Sequence, residues 1–345
     1  MRRGYTKDKI TWVGSGARET WRQLSRQYSR SDTESRPIEA GNVVRIFERS
    51  LYLDVSCLPD NRSTLTPMVL IGGDNMSDSP LLSRMSGSPI AFNQLDVETG
   101  STWTYRQVDS DTRAVLTIGD STTLTLNLEL LKQSNAIPTR ISSVSEIIEN
   151  PRIQNRAEAC VNQLITEGYS DGLGWLSKLG GPLDQHSQAP EQFGEYVSSW
   201  VQLLTVDDVR EAMFNPIADV IGRGLGTTPS GDDVTSAILL TLNRILSKRE
   251  SQRLQAIGRE IVASANGNTS RVSAGLMEQS VYGRAPTVVS EFLQTIFSDV
   301  PEERLYSSLV DVCDIGHTSG VDICVGILTT LLSIVPKLTR KSHHK

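Results

Sequence analysis

The stretch GRGLGTTPSGDDVTSAILLTLNRIL, residues 222–246, joins a glycine-rich loop directly to an apolar helix. Its glycines allow the backbone to adopt positive φ values and to approach a ligand closely. The helix predicted over residues 234–246 directs unpaired N–H groups and the positive end of its dipole toward the same place. The stretch therefore predicts a site for a small anionic substrate.

Hydroxyl and carboxyl side chains accompany these glycines. The hydroxyls add hydrogen-bond donors, and the helix dipole stabilises two carboxylates in the first turn, which are suited to bind Mg²⁺ or amide N–H groups. A capping box, in which Ser230 and Asp233 bond each other's backbone amides, is the structural alternative, but it leaves the other residues without a role. The candidates are Gly224, Gly226, Thr227, Thr228, Ser230 and Gly231 for anion binding, and Asp232 and Asp233 for catalysis or for a metal.

A second copy of this helix start lies near the C-terminus, in GHTSGVD, residues 316–322. The two copies align without a gap, because 319 − 230 = 89 and 322 − 233 = 89. Our hypothesis is that the two helix starts converge on one pocket, although similar helix starts equally occur far apart. The copy adds His317 and Asp322 as catalytic candidates, His317 as an acid or base, and Thr318, Ser319 and Gly320 as anion-binding candidates.

A polar segment, NGNTSRVS, lies between the two copies at residues 266–273. Asn268 is a candidate for anion binding, and Arg271 is a candidate for bidentate contact with a carboxylate or a phosphate. A solvated turn between two helices is the alternative explanation of this segment.

Composition excludes several classes of protein. The 345 residues carry 34 Lys+Arg and 40 Asp+Glu, a net charge of −6 with no basic face, so we expect no nucleic-acid binding. No apolar run of signal-peptide length and none near ~18 residues is present, which predicts a cytoplasmic protein that does not enter a membrane. The 4 cysteines match no common zinc spacing, and the 4 histidines are too few for a His-rich metal site.

The pattern of apolar residues divides the chain. We expect a helical lead-in over residues 1–40, a β subdomain over 41–135, a helical subdomain with both glycine motifs over 136–336, and a basic tail over 337–345. The expected fold class is α+β, with a mainly antiparallel β subdomain packed on a mainly helical one. The glycines of residues 10–19 lack the dinucleotide-binding pattern, and the interval 168–182 is a linker or a ligand-facing loop.

Together the TPSGDD run, the NTSRVS segment and the GHTSGVD run resemble a bacterial family whose best-known member is the AllH subunit of oxamate carbamoyltransferase. The resemblance implies carbamoyl transfer from carbamoyl phosphate to oxamate or a related ureido or amide compound, in allantoin and purine nitrogen breakdown. It also implies partner subunits, so we expect enzyme activity only within a multi-subunit assembly. The loop departs from the family pattern by lacking two residues after Gly226.

The resemblance also implies how the candidates divide the work. Amides of residues 224–231 and 319–320 would hold anionic oxygens with help from Arg271. The three aspartates would bind the carbamoyl NH₂ group or Mg²⁺, the candidate cofactor, and His317 would handle a proton. Two alternatives stay open: a non-catalytic subunit that binds a small ligand or organises partner chains, and a metal-dependent amide or ureido hydrolase.

Overall fold

The computed structural model describes residues 8–30, 36–58, 67–73, 76, 78–86, 91–109, 112–120, 122–132, 140–169, 189–206, 213–265 and 267–342. The chain forms two compact units, Met1–Ile137 and Pro138–Lys345. The first is built mainly from strands and the second from helices, so the α+β class is confirmed. Residues 170–188, which include most of the glycine-rich interval 168–182, lie outside the described part of the chain.

Eight strands of the first unit form a closed barrel in the order β1-β5-β4-β3-β2-β6-β7-β8. The pairs β4–β5 and β1–β8 are parallel and the other pairs are antiparallel, as the mainly antiparallel expectation requires. The strands are β1 (Asp8–Val13), β2 (Ile38–Ile46), β3 (Ser50–Asp54), β4 (Met68–Gly72), β5 (Leu82–Ser86), β6 (Thr102–Asp109), β7 (Arg113–Ile118) and β8 (Thr122–Asn127).

The first 40 residues are not a separate helical lead-in. Strand β1 closes the barrel, and helix α1 (Ser15–Arg30) buries Ala17, Trp21, Leu24 and Tyr28 in the same apolar core. These four side chains lie at helical spacing on one face, which is the pattern of an amphipathic helix packed on a sheet. The boundary predicted at residue 41 is therefore wrong. The sequence pattern did not indicate β1, because this strand is short and α1 separates it from β2.

The remaining helices are α2 (Glu129–Lys132) in the first unit, and in the second unit α3 (Val144–Glu149), α4 (Pro151–Thr166), α5 (Ala189–Thr205), α6 (Asn215–Ala218), α7 (Ser230–Ile245), α8 (Lys248–Ser264), α9 (Arg271–Val281), α10 (Thr287–Phe297), α11 (Glu302–Cys313), α12 (Ser319–Thr329) and α13 (Val335–Ser342). A π-helical segment, Thr330–Ile334, joins the last two. Helix α13 covers part of the predicted basic tail.

Helices α7 and α12, which begin at the two glycine motifs, cross in direct contact. Both are buried on nearly all sides, as central helices of a globular unit are. Gly326 lies at the crossing, where an added Cβ would stand 2.6 Å from Ala237 Cβ and 2.6 Å from the Val234 carbonyl oxygen. The crossing therefore depends on the absence of a side chain at residue 326.

One continuous helical run, Ser319–Leu338, is long and apolar enough to cross a membrane by length and composition alone. Buried residues make up 67% of its apolar window, and the core helix of a globular protein meets the same criteria.

Gly326→Ala should lower the free energy of unfolding by about 1–3 kcal/mol, the usual cost of overpacking, even though alanine favours a helix by up to about 1 kcal/mol over glycine. Urea denaturation of the full chain measures the change. Ser307→Ala, at an exposed position of α11, is the control and should leave stability within about 0.5 kcal/mol. Equal stability of both variants would contradict the close crossing.

Candidate functional site

The two glycine motifs come together in the structure. The hydroxyl oxygens of Thr228, in the first motif, and Ser319, at the start of α12, are 2.9 Å apart and share a hydrogen bond. The helix starts at Ser230 and at Ser319 therefore face one place, as the hypothesis of convergence requires.

Both helix starts are built in the same way around a glycine. An added Cβ would lie 1.9 Å from the Val220 carbonyl oxygen at Gly231, and 1.9 Å from the Val312 carbonyl oxygen at Gly320. Each glycine N–H donates to a loop carbonyl of the preceding turn, that of Arg223 in one case and of Ile315 in the other. Gly231 and Gly320 therefore serve close packing, and their amides do not bind an anion as the sequence suggested.

The capping-box alternative is wrong. Helix α7 begins at Ser230 with Pro229 at the N-cap position, and no side chain caps it. The amides of Asp232 and Asp233 instead donate to the carbonyl oxygen of Pro229. Since a proline at this position supplies no capping side chain, the hydroxyl of Ser230 is left to face the other motif.

Asp232 connects the glycine loop to the middle segment, and both of its carboxyl oxygens accept hydrogen bonds. The carboxyl group is fully buried, and its oxygens accept hydrogen bonds from the Gly222 N–H, at 2.7 Å, and from the Thr269 hydroxyl. A Cβ at Gly222 would strike the Asn268 carbonyl oxygen. Asp232 therefore holds the loop against the middle segment, and the structure does not present it to the carbamoyl group or to Mg²⁺.

The middle segment also joins the site through Ser270, whose hydroxyl donates to the Thr227 carbonyl oxygen at 2.6 Å and accepts from the Ser273 N–H. The side chains of Asn268, Arg271 and His317 are exposed. These three candidates lie on elements that meet at the site, but none contributes to its buried part.

The buried part contains Asp233 and Asp322. Asp322 has no solvent exposure and neither of its oxygens has a hydrogen-bond partner, while Asp233 is 8% exposed and its Oδ2 has none. Burial raises the pKa of Asp322 to about 6, and the hydroxyls of Ser230 and Thr318 lie close enough to offset part of that rise. Burial also raises the pKa of Asp233 well above its ordinary value, and the nearby negative charge of Asp322 adds to the effect.

The contacts between the two halves are reciprocal. The hydroxyls of Ser319 and Thr228 favour the charged form of Asp233, while those of Ser230 and Thr318 favour the charged form of Asp322. Each serine thus faces the carboxyl group of the other motif, which gives the site an approximate twofold character. The sequence repeat predicted two similar helix starts, and it carried no information on this exchange of partners.

The loop of the first motif offers backbone donors. Among the residues that the structure describes, no acceptor lies in hydrogen-bond geometry with the N–H groups of residues 224–228. Gly224 and Gly226 have φ values of 121° and 100°, so they adopt conformations that other residues rarely reach. These amides are the part of the predicted anion site that the structure leaves free for a ligand.

Several contributors to the site are not marked by the sequence motifs. Thr269 lies in the polar segment next to Asn268, and its hydroxyl donates to Asp232. Tyr196, on α5, contacts α7 through its hydroxyl oxygen, which is 3.2 Å from the Thr235 hydroxyl oxygen. No local sequence motif marks it. Leu225 is 94% exposed at the loop tip, a property that follows from the glycines on both sides.

The donor atoms at the buried pair are carboxyl and hydroxyl oxygens, the ligand type that Mg²⁺ prefers. Within the described ranges, no group of three or more His, Cys, Asp or Glu side chains is placed to hold a metal ion.

Asp232→Asn should lower the free energy of unfolding by about 1–3 kcal/mol, because an amide NH₂ would face a donor in a buried place. Chemical denaturation measures the loss. Asp219→Asn, at an exposed position, is the matched control. The double variant Asp232→Asn with Thr269→Val should lose less unfolding free energy than the sum of the two single variants. Strict additivity would contradict the hydrogen bond between the two side chains.

Stability should depend on pH through Asp322. Its carboxyl titrates at about 6 in the folded chain against an ordinary value of 3.8, so its proton stabilises the fold below pH 4 and this contribution is lost as pH rises through 6. The loss amounts to about 3 kcal/mol relative to Asp322→Asn, which carries no charge. Unfolding curves of both proteins between pH 4 and pH 8 test this, and parallel pH profiles would disprove it.

Comparison with known proteins finds one family. Residues 220–331, which span the glycine loop, the middle segment and both helix starts, match the model described as oxamate carbamoyltransferase subunit AllH. Neither the curated proteins nor the solved structures gave a match to this chain. The match covers about a third of the chain, and it lies on the segment that builds the site.

Proposed function

We propose that this chain is a subunit of a carbamoyltransferase that uses carbamoyl phosphate and acts on oxamate or a related ureido or amide compound. The pathway is nitrogen recovery from allantoin and purines in the cytoplasm. The observation that carries the proposal is the meeting of two duplicated helix starts around Asp233 and Asp322, inside the segment that matches the family.

The proposed chemistry sets three requirements. The nitrogen of the acceptor forms a bond to the carbamoyl carbon, the bond from that carbon to phosphate oxygen breaks, and the nitrogen gives up one proton. A site for this step has to hold phosphate or carboxylate oxygens, orient the NH₂ group and accept a proton. Donors fixed in place before the reaction contribute most to such acyl-type transfers.

The loop supports the first requirement. Free N–H groups of residues 224–228 are suited to anionic oxygens, and positive-φ glycines at 224 and 226 bring the backbone close to a ligand. Arg271 begins α9 next to Ser270, whose hydroxyl bonds the loop, so its guanidinium is the proposed second contact for the anion.

The buried pair supports the requirement to orient the NH₂ group, and His317 supports the requirement to accept a proton. Carboxyl oxygens without donors are acceptors for the NH₂ group of a carbamoyl or amide compound. The exposed imidazole of His317 lies one residue before Thr318, and it is the proposed acceptor of the proton. This function needs partner subunits that complete the substrate site, since the candidates for charge and proton handling are exposed.

A non-catalytic subunit that binds a small ligand is the second candidate. The unbonded oxygens of the buried pair favour it, because they can accept an N–H of a bound ligand and binding requires no group that takes up a proton.

Thermal unfolding of the full chain with phosphate, carbamoyl phosphate or oxamate, each with and without Mg²⁺, tests binding. A ligand at ~100 times its dissociation constant stabilises by about 2.7 kcal/mol, a shift of a few degrees. The shift should disappear in Asp322→Asn and persist in Asp314→Asn, a change at an exposed position close in sequence.

Activity of the assembled enzyme separates the two candidates. Formation of an N-carbamoyl product should fall by at least tenfold when the complex contains Asp322→Asn. Full activity of that complex would refute the catalytic proposal, and a ligand shift without loss of activity would favour the non-catalytic subunit.

A further inference from the structure

Asp233 and Asp322 are buried without a counter-charge. In the described part of the chain, no Lys, Arg or His side chain forms an ion pair with either carboxyl group. Three of their four oxygens, Oδ2 of Asp233 and both of Asp322, also have no partner in good hydrogen-bond geometry, although the hydroxyls of Thr228, Ser230, Thr318 and Ser319 lie near the pair. Since buried carboxyl oxygens are normally bonded, this pair is built for a proton, a ligand or both.

Among the residues that the structure describes, the groups that influence the titration of the pair include no cation. Asp233 meets Asp232 on its own helix, Thr228 from the loop, and Ser319 and Asp322 from α12. Asp322 meets Ser230 from α7 and Thr318 before α12, with the Cys324 thiol nearby on its own helix. Tyr196, from α5, lies beyond Asp232 and is neutral, because burial raises its pKa to about 12.

A charge balance indicates how many protons the pair carries. The pair and the neighbouring Asp232 carboxylate contribute three negative charges when all are ionised, and each helix N-terminus offsets about half a charge. Two negative charges remain, and one proton on the pair halves them. Two buried carboxylates whose charges repel each other also resist simultaneous ionisation.

We propose that Asp233 and Asp322 share one proton and together bind the edge of a neutral amide or ureido group. The ionised carboxylate accepts an N–H of the ligand, and the protonated carboxyl group donates its O–H to the ligand carbonyl oxygen. The inference rests on the proposed function for its substrate family, but it does not require that the chain catalyse the transfer.

The two carboxyl groups have different parts in this arrangement. Asp233 holds the proton, because it is buried and the negative charges of Asp322 and Asp232 act on it. Asp322 is the ionised acceptor, since it keeps two unbonded oxygens and two neighbouring hydroxyls. A ligand anion would be repelled here by the carboxyl groups, whereas a neutral amide offers both an N–H donor and a carbonyl acceptor.

Titration of the free chain tests the shared proton. With ¹³C-labelled aspartate, NMR should show one carboxyl group of the pair titrating near pH 6 and the other staying protonated well above it. Asp233→Asn should retain the step near pH 6, because asparagine resembles a neutral acid. Asp322→Asn should remove that step and lower the pKa of Asp233, and Asp314→Asn should change nothing. Ordinary pKa values for both groups would overturn the shared proton.

Matched ligands test the amide edge without any substitution. Carbamoyl phosphate and acetyl phosphate differ only by NH₂ against CH₃, and oxamate and oxalate differ by an amide against a carboxylate. Calorimetry on the full chain should give at least tenfold tighter binding for the amide member of each pair. The preference should persist in Asp233→Asn and vanish in Asp322→Asn.

Three results would overturn the amide edge: equal affinity within each pair, binding that depends on Mg²⁺, and no binding by a chain whose complex still transfers carbamoyl groups. An inactive complex whose free chain retains the shared proton and the amide preference would instead refute carbamoyl transfer alone.

Discussion

The close crossing of α7 and α12 is the constraint on which the site depends. Gly326 lets the two helices approach, and Gly231 and Gly320 press each helix start against a carbonyl oxygen of the preceding turn. A side chain at Gly326 would separate the helices, and one at Gly231 or Gly320 would push that helix start away from the carbonyl oxygen on which it packs. Separation would move Ser319 from Thr228, and with it the carboxyl group of one motif from the hydroxyls of the other.

The crossing also imposes a cost, because it buries two carboxyl groups that have no cation beside them in the described ranges of the chain. Burial of an unpaired charge is one of the most destabilising features that a protein retains. The apolar residues buried along α7 offset part of this destabilisation. Hydrogen bonds from Gly222 and Thr269 to Asp232 also hold the loop in place. Local violations of packing rules of this kind usually occur at functional sites.

The sequence predicted the parts of the site better than their relations. The constant spacing of 89 residues identified both helix starts, since a repeat is visible without any structure. The choice among Asp232, Asp233 and Asp322 was not visible, because adjacent aspartates diverge on a helix and only packing decides which one meets a donor. In the same way, strand β1 was overlooked because its partners, β5 and β8, are remote in sequence.

The duplication is not perfect, and the two loops differ in length. From Val220 to Gly231 the chain takes 11 steps, while the equivalent path from Val312 to Gly320 takes 8, so the first loop is three residues longer. The longer loop carries free N–H groups of residues 224–228 and the exposed Leu225. A twofold pair of carboxyl groups alone would accept an amide in either direction. The unequal loops remove that symmetry from the surroundings of the pair, so the two directions of a bound ligand are not equivalent.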